Sequence, residues 1–530
     1  MMMTTATILV TSLCFLIMWI MTSVVVLRRD LMMFQQNSYR PDRYFRWSKE
    51  TGESTGMMNL CFLVGAFLPL AGMIPFMFSI PLNTLLMLWW FIRLAGAKYK
   101  KPLVMTARAK RIFWVSFVLF IIMASLSALS GNLKFVAAVC MGLLYVSSLI
   151  MIAANNILKP YENSLTRRYI NEAKDIISGI PGLKVVGITG SYGKTSTKHY
   201  LHRILSEHFE TLMTPGSYNT TLGVVRTIRE MMKPYTEVFI AEMGAKQPGD
   251  IREIAEIVHP QTGIITAVGE QHLQSFGSIE NVQKTKFELV DALPADGLAI
   301  LNNDFEYVAN RKVDNVNAVR YAVKDGNGIS CHVENVKTNR RGTSFTIIAE
   351  GHAPLELETR LVGECNISNL IAAVTCARAL GVPDSKIKSA VKQIEQVEHR
   401  LNLKTTPSGI TIIDDAFNSN PDGSRMALEV LRDMTPGKRI IITPGMIELG
   451  EKQEEYNRRF GELIAKNADV AIIVGKYNRD AILAGTEDGG MAKENVHIAD
   501  SFAIAQQILA SVAVSGDTVL YENDLPDTFK

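Results

Sequence analysis

Of 530 residues only six are cysteine: Cys14, Cys61, Cys140, Cys331, Cys365 and Cys376. None form a Cys-x-x-Cys pair and three lie in apolar runs, so neither a disulfide framework nor a zinc ribbon is indicated. Charge of one sign is equally scarce. Lysine and arginine total 55 against 52 aspartates and glutamates, a formal net charge of +3, too mild for a nucleic-acid partner. No internal repeat or low-complexity tract stands out. The first apolar run has neither the basic start nor the small-residue cleavage site of a signal peptide, so it reads as retained.

What is present is unevenly distributed. The first 155 or so residues are dominated by Leu, Met, Ile, Phe and Val, and after about residue 160 the chain reads as an ordinary α/β protein. Residues 6–27 carry no charge and exceed the roughly 20 apolar residues a membrane crossing needs. A second apolar stretch, 57–92, is too long for one span and is interrupted by Pro69, Pro75 and Pro81; two more cover about 112–129 and 135–154. Lys and Arg gather after the first span (Arg28, Arg29, Arg40, Arg43), after the second stretch (Arg93, Lys101, Arg108, Arg111) and after the last (Lys159, Arg167, Arg168). Basic loops stay cytoplasmic, which predicts about five spans in the plasma membrane, with the N-terminus outside and the remainder of the chain in the cytoplasm. In that arrangement 57–92 goes in and comes back, as two short spans or a re-entrant hairpin.

Just beyond lies "LKVVGITGSYGKTSTKHYLHRILSEHF", a β-branched run, a glycine turn and a helical pattern. Gly190 and Gly193 let backbone N–H groups approach a polyphosphate at a helix N-terminus. Lys194 would reach the β and γ phosphates and Thr195 would hold Mg2+; the loop is a variant of the strict pattern. "VFIAEMGAKQPGDI" is a buried-strand pattern ending in Glu242, where a metal ligand or an ordinary loop carboxylate would lie. "TGIITAVGEQHLQSFGSIENVQKTKFEL" repeats the layout, with His272 just past a strand and Lys286 on the next helix; a lone histidine is more often structural than a ligand.

The order of these segments, followed by "GLAILNNDFEYV", "LVGECNISNLIAAVTCARALG", "EHRLN", "IIDDAFNSNPDGSRMALEVL" and "MIELGEKQEEY", resembles the Mur ligases, ATP-dependent amide-forming enzymes of peptidoglycan synthesis. Within that family the chain looks most like the MurF type, UDP-N-acetylmuramoyl-tripeptide D-alanyl-D-alanine ligases, over roughly residues 183 to 520. The resemblance implies that Gly190, Ser191, Gly193, Lys194, Thr195 and Ser196 grip ATP, with Thr195 on one Mg2+ and Glu242 and His272 on a second metal. It implies that Lys286 is carbamylated, that Asn302, Asn366 and Asp415 contact the nucleotide, and that Arg400 meets the γ-phosphate. Catalysis is thereby assigned to Lys194, Lys286, His272 and Arg400. Ser217, Asn219 and Thr220 in the "TPGSYNT" loop, and Asn418 and Asn420 at the incoming-amine seam, would face substrates.

Several positions depart from the family pattern. Cys365 replaces the usual histidine before Asn366, Ser217 and Thr220 replace asparagines, Pro444-Gly445-Met446 stands for Gly-Asp-Met, and the late Lys-Gly-Ser-Arg region reads "YENDLPD". The ATP site is largely kept and the acceptor is open. Only about one helix of chain separates the last apolar run from the phosphate loop, so the family's UDP-binding first domain has no room there. The expectation is an α-helical transmembrane domain (1–158) followed by α/β architecture: a P-loop Mur ligase central domain (159–400) with a small antiparallel insertion, and a Rossmann-like C-terminal domain (401–530). The substrates expected are ATP with Mg2+, a soluble or lipid-linked muramoyl peptide and an amine such as D-alanyl-D-alanine. Membrane lipid and cell-wall synthesis proteins are the expected partners, with no nucleic acid. Alternatives are a lipid-linked or polyglutamate-type acceptor, or a membrane scaffold that binds nucleotide without forming bonds.

Overall fold

The structure is a computed structural model that describes residues 5–50, 56–97, 99, 101–339, 342–416, 419–434 and 436–524. The chain forms two compact units that part between Thr166 and Arg167.

The first unit is helical: Thr5–Gln36, Pro41–Glu50, Met57–Leu70, Phe76–Ala95, Ala107–Ala128, Leu133–Tyr145 and the start of Ser147–Ser178. Among the described residues three helices, Thr7–Gln36, Phe76–Ala95 and Ala107–Ala128, are long and apolar enough to cross a membrane. This differs from the expected five spans. Met57–Leu70 has 14 residues, short of the roughly 20 that a bilayer core requires. The last apolar run is broken by a 73° bend between Leu133–Tyr145 and Ser147–Ser178, so it adds at most a fourth span. The chain breaks between Leu70 and Phe76, where Pro69 and Pro75 predict, yet Pro81 sits inside a continuous helix. Polar groups are satisfied within the bundle: the Trp19 indole donates to the Cys140 carbonyl at 2.8 Å, and the Asn83 amide to the Gly65 carbonyl at 3.1 Å. Leu9, Leu13, Phe78, Trp114 and Leu126 point outward.

The second unit contains two sheets. In the first, β1 (Lys184–Thr189), β2 (Thr211–Met213), β3 (Val238–Glu242), β4 (Thr262–Ile265), β5 (Leu298–Asn302), β6 (Asn317–Tyr321), β7 (Cys331–Asn339), β8 (Gly342–Ala349) and β9 (Leu355–Thr359) run in the order β2-β3-β1-β4-β5-β6-β7-β8-β9. Pairings from β2 through β6 are parallel; β7, β8 and β9 pair antiparallel. The β-rich 331–359 stretch therefore extends the central sheet through a β6–β7 bridge instead of standing apart. β3 is buried along its whole length and β1 in all but its first residue. Parallel strands covered on both faces need such unbroken apolar runs.

The second sheet orders β10 (Asn402–Thr405), β11 (Thr411–Asp415), β15 (Thr518–Glu522), β12 (Arg439–Thr443), β13 (Val470–Val474) and β14 (Val496–Ala499), all parallel except β10 against β11. Helices Gln453–Asn467 and Arg479–Asp488 cross each other where Gly461 meets Gly485. A Cβ on Gly485 would lie 1.9 Å from the Arg458 carbonyl oxygen, and one on Gly461 2.3 Å from that of Ile482. Overpacking of this kind costs about 1–3 kcal/mol or more. Gly485→Val is expected to lower the denaturation midpoint of this unit by at least that amount, and an unchanged midpoint would contradict the crossing.

Candidate active site

The parallel order brings the C-terminal ends of β1, β3 and β4 side by side, with Ile188 paired to Glu242 and Thr189 to Ile265. The chain leaves β1 in a tight turn. A Cβ on Gly190 would stand 2.1 Å from Thr266 Oγ1, so only glycine lets the loop pass. Gly193, at φ +80°, caps helix Lys194–Leu205 in a left-handed conformation. The free amides of that first turn and the helix dipole make an anion cradle. Thr266 Oγ1 donates to the Tyr192 carbonyl at 2.5 Å and Ser191 Oγ to that of Gly269 at 2.9 Å, fixing the loop to the segment after β4.

Lys194 Nζ donates to the carbonyls of Gly190 (2.6 Å) and Ser191 (3.2 Å). Burial brings its pKa down to about 8; Glu242 opposes this shift and Arg400 adds to it. At the end of β3, Glu242 Oε1 accepts from Thr195 Oγ1 at 3.1 Å and from Asn219 Nδ2 at 3.0 Å. Its Oε2 faces Lys198 Nζ at 2.9 Å, and the two side chains are 1% and 0% exposed. Lys198 Nζ also donates to the Gly216 carbonyl at 2.6 Å. Burial alone would raise the Glu242 carboxyl, but Lys198, Lys194 and Asn219 hold it below the usual range. Lys286 is buried on helix Ile279–Asp291. Burial, with the Lys194 charge adding to it, drives its ammonium far below the ordinary lysine value. It is therefore biased toward the neutral amine that reacts with CO2.

His272, at φ +53°, hydrogen-bonds through Nδ1 to Glu448, which is itself left-handed at φ +63°. Burial lowers the imidazole pKa while Glu448 raises it. Lys452 Nζ meets Glu270 at 2.7 Å, so the loop after β12 is docked on the segment after β4. Arg400 lies near Asp415, which burial pushes up to about 6 against the pull of that guanidinium. The Leu401 amide donates to Asp415 at 3.2 Å.

Lys194, Thr195, Glu242 and Asn219 are thus brought together; the Arg400 charge acts on Lys194, and the charges of Lys194 and Glu242 act on Lys286. Other expected residues have their polar groups engaged elsewhere. Asn302 donates to the Thr266 carbonyl and Ser368 and accepts from the Asp304 amide. Asn366 accepts from Tyr200 and donates to Val362. Ser196 is buried in the core-facing side of its helix. Thr220 and Asn420 cap helices Thr221–Met231 and Pro421–Arg432. Ser217 lines a cavity beside Thr195. Asn418 lies outside the described residues. Sequence reasoning missed Lys198 and Glu448. The signal for Lys198 was its position four residues after Lys194, one helical turn on; Glu448 stood in "MIELGE" with nothing to mark its partner.

Among the described residues no group of three or more His, Cys, Asp or Glu side chains converges on a metal position. Magnesium is usually held by one or two carboxylates completed by waters and substrate phosphates. The adjacent Thr195 hydroxyl and Glu242 carboxylate fit that pattern.

Residues 188–377 match the Mur ligase middle domain, and residues 399–521 match the Mur ligase glutamate ligase domain. A UDP-N-acetylmuramoyl-tripeptide D-alanyl-D-alanine ligase of Mycobacterium bovis is 32% identical over 370 residues, spanning 66% of this chain and 71% of the relative. The chain belongs to the Mur ligase family. The ligase is similar, too, to the enzyme of that name from Bacillus subtilis, 27% identical over 344 residues, 64% of this chain and 73% of the relative. Its fold matches a MurF crystal structure from Acinetobacter baumannii (TM-score 0.61, 24% identity, 68% of this chain and 77% of that one). It also matches MurF from Thermotoga maritima in complex with ADP (TM-score 0.60, 24% identity, 68% and 80%). It is an ATP-dependent ligase that forms a peptide bond.

Removing one member of a buried ion pair costs about 3–5 kcal/mol because the other charge is left uncompensated. Lys198→Met is expected to destabilise the ligase by that order in chemical denaturation, and adding Glu242→Gln to recover part of the loss. Equal midpoints for Lys198→Met and wild type would remove the pair from this account.

Proposed function

We propose that this ligase is a membrane-anchored, MurF-like enzyme of peptidoglycan precursor synthesis that joins D-alanyl-D-alanine, or a related amine, to a muramoyl peptide. The observation that carries the reading is the convergence of Lys194, Thr195 and Glu242 at the strand ends, in a chain whose relatives at 27–32% identity bear that enzyme's name. Lys194 leaves the Gly190 and Ser191 carbonyls to meet the β and γ phosphates of ATP, which the first-turn amides cradle. Arg400 faces the γ-phosphate from the other side.

An acceptor carboxylate oxygen attacks the γ-phosphorus as the bond to the ADP oxygen breaks. Both reactants are anionic, so the cations around them lower the barrier. Mg2+ held by Thr195 and Glu242 would neutralise further phosphate charge. The amine nitrogen then attacks the acyl carbon, the tetrahedral adduct expels inorganic phosphate, and an amide remains. Water would hydrolyse the acyl phosphate, so the His272–Glu448 and Glu270–Lys452 contacts serve by keeping the C-terminal α/β domain closed. Lys286, whose neutral amine can add CO2 and release a proton, would supply a carbamate anion to help hold a metal ion.

The apolar helices support membrane anchorage with the catalytic half in the cytoplasm. The residues directly before β1 form a helix, not an α/β domain, which supports a lipid-linked acceptor in place of one gripped by its UDP group.

Full-length protein in detergent should release phosphate only with ATP, a muramoyl peptide and an amine together, and the product mass should equal the peptide plus the amine less water. No phosphate release with any soluble or lipid-linked muramoyl peptide would overturn the reading. Labelled bicarbonate should give a carbamate NMR signal that Lys286→Arg removes, with activity falling by at least about a hundredfold, the loss typical of removing one group that stabilises transition-state charge. A signal that persists in the variant would place the carbamate elsewhere.

A further inference from the structure

A cavity of about 740 Å3 lies between one face of helix Lys194–Leu205 and the linker at residues 393–400. That volume falls within the roughly 300–1,000 Å3 of small-ligand sites. Thr195, His199 and His202 line it, at spacings of four and three residues that place them on one helix face. Arg400 closes the same end as Thr195, and Ser217 comes from the loop after β2. Gly190, Ser191 and Gly193 are absent from the wall, as are Asn302, Asn366 and Asp415. Among the described residues, the cavity therefore meets the phosphate loop and its partners at Thr195 and Arg400 and otherwise runs away from them. Its rim carries the exposed carboxylates Glu395 and Glu398, while the lining Arg203 already donates to Glu207 and Gln393, so little free positive charge is left there for a diphosphate.

We infer that this cavity holds the peptide of the acceptor, with the reacting carboxylate at Thr195 and Arg400 and with His199 and His202 as specificity residues hydrogen-bonded to the peptide behind it. The inference rests on the ligase reading above and adds the residues that select the acceptor. His199 is half-buried, and among the described residues no group hydrogen-bonds its ring. Burial, then the neighbouring Lys198 charge, brings its pKa down to about 4; burial lowers that of His202 as well, against a hydrogen bond to the Thr211 backbone that occupies one of its ring nitrogens. At neutral pH both rings are uncharged. A neutral imidazole both donates and accepts, so His199 offers both functions and His202 its remaining nitrogen, which suits peptide amides better than phosphate.

The test uses the full-length protein and a soluble muramoyl tripeptide, with binding measured by calorimetry and KM by phosphate release. His199→Ala and His202→Ala should each weaken tripeptide binding and raise its KM about tenfold, the worth of roughly 1.4 kcal/mol for a lost hydrogen bond. The KM for ATP should stay within twofold, and His199→Gln, which keeps a donor and an acceptor, should recover much of the loss. Equal binding by variants and wild type, no binding by wild type, or a parallel rise in the KM for ATP would overturn the inference. Absent phosphate release alongside histidine-dependent tripeptide binding would overturn the ligase reading and support this one.

Discussion

The ion pair of Glu242 and Lys198, almost fully withdrawn from water, is the constraint around which the catalytic half is arranged. A carboxylate in that position is costly unless every lone pair is answered, because desolvation opposes the charged form. The answers to this β3 carboxylate come from two other segments: the phosphate-loop helix supplies Thr195 and Lys198, and the loop after β2 supplies Asn219. None of these partners is a neighbour of Glu242 in sequence. Only a parallel sheet that ends β1 and β3 at the same level can assemble them, which ties the site to the sheet order β2-β3-β1-β4.

The same concentration of charge explains the surrounding electrostatics. Lys194 and Lys286 are both buried, and after burial itself the Lys194 charge is what disfavours the Lys286 cation. Arg400 and Asp415 enter from the linker and from β11, where burial and attraction oppose each other. His272 and Glu448 are both held in left-handed backbone conformations, which cost non-glycine residues about 1–3 kcal/mol each. They persist because the hydrogen bond between them and the Lys452–Glu270 pair over-determine that junction.

How much of this was legible in the sequence follows from what sequence encodes well. Glycines at a strand-to-helix turn, a carboxylate ending a β-branched run and a lysine–threonine pair are local signals, and the structure places Lys194, Thr195 and Glu242 together. Lys198 was not legible, because the pattern shows helical spacing but not which face meets β3. For Asn302, Asn366, Thr220 and Asn420, which the resemblance alone marks as ligand-facing, the fold adds local bonds in loops, core and helix caps that no sequence pattern announces. The alternating stretch after residue 331 was rightly read as antiparallel, but its attachment to the central sheet depends on one bridge from β6. The count of apolar helices failed for a similar reason. Hydropathy gives the length of a run, not the bend that divides it.

Helix Lys194–Leu205 begins at the phosphate cradle and is rigidly packed by Tyr200, Leu201, Ile204 and Leu205. An α-helix rises about 1.5 Å per residue, so the seven positions from Thr195 to His202 span about 10 Å. That is the reach of about three extended peptide residues at roughly 3.3 Å each. The helix is therefore a ruler as well as an anion site. In the proposed acceptor site it would set the length of peptide whose carboxylate sits at the phosphate while its far end reaches a histidine, and a longer or shorter chain would need a different helix.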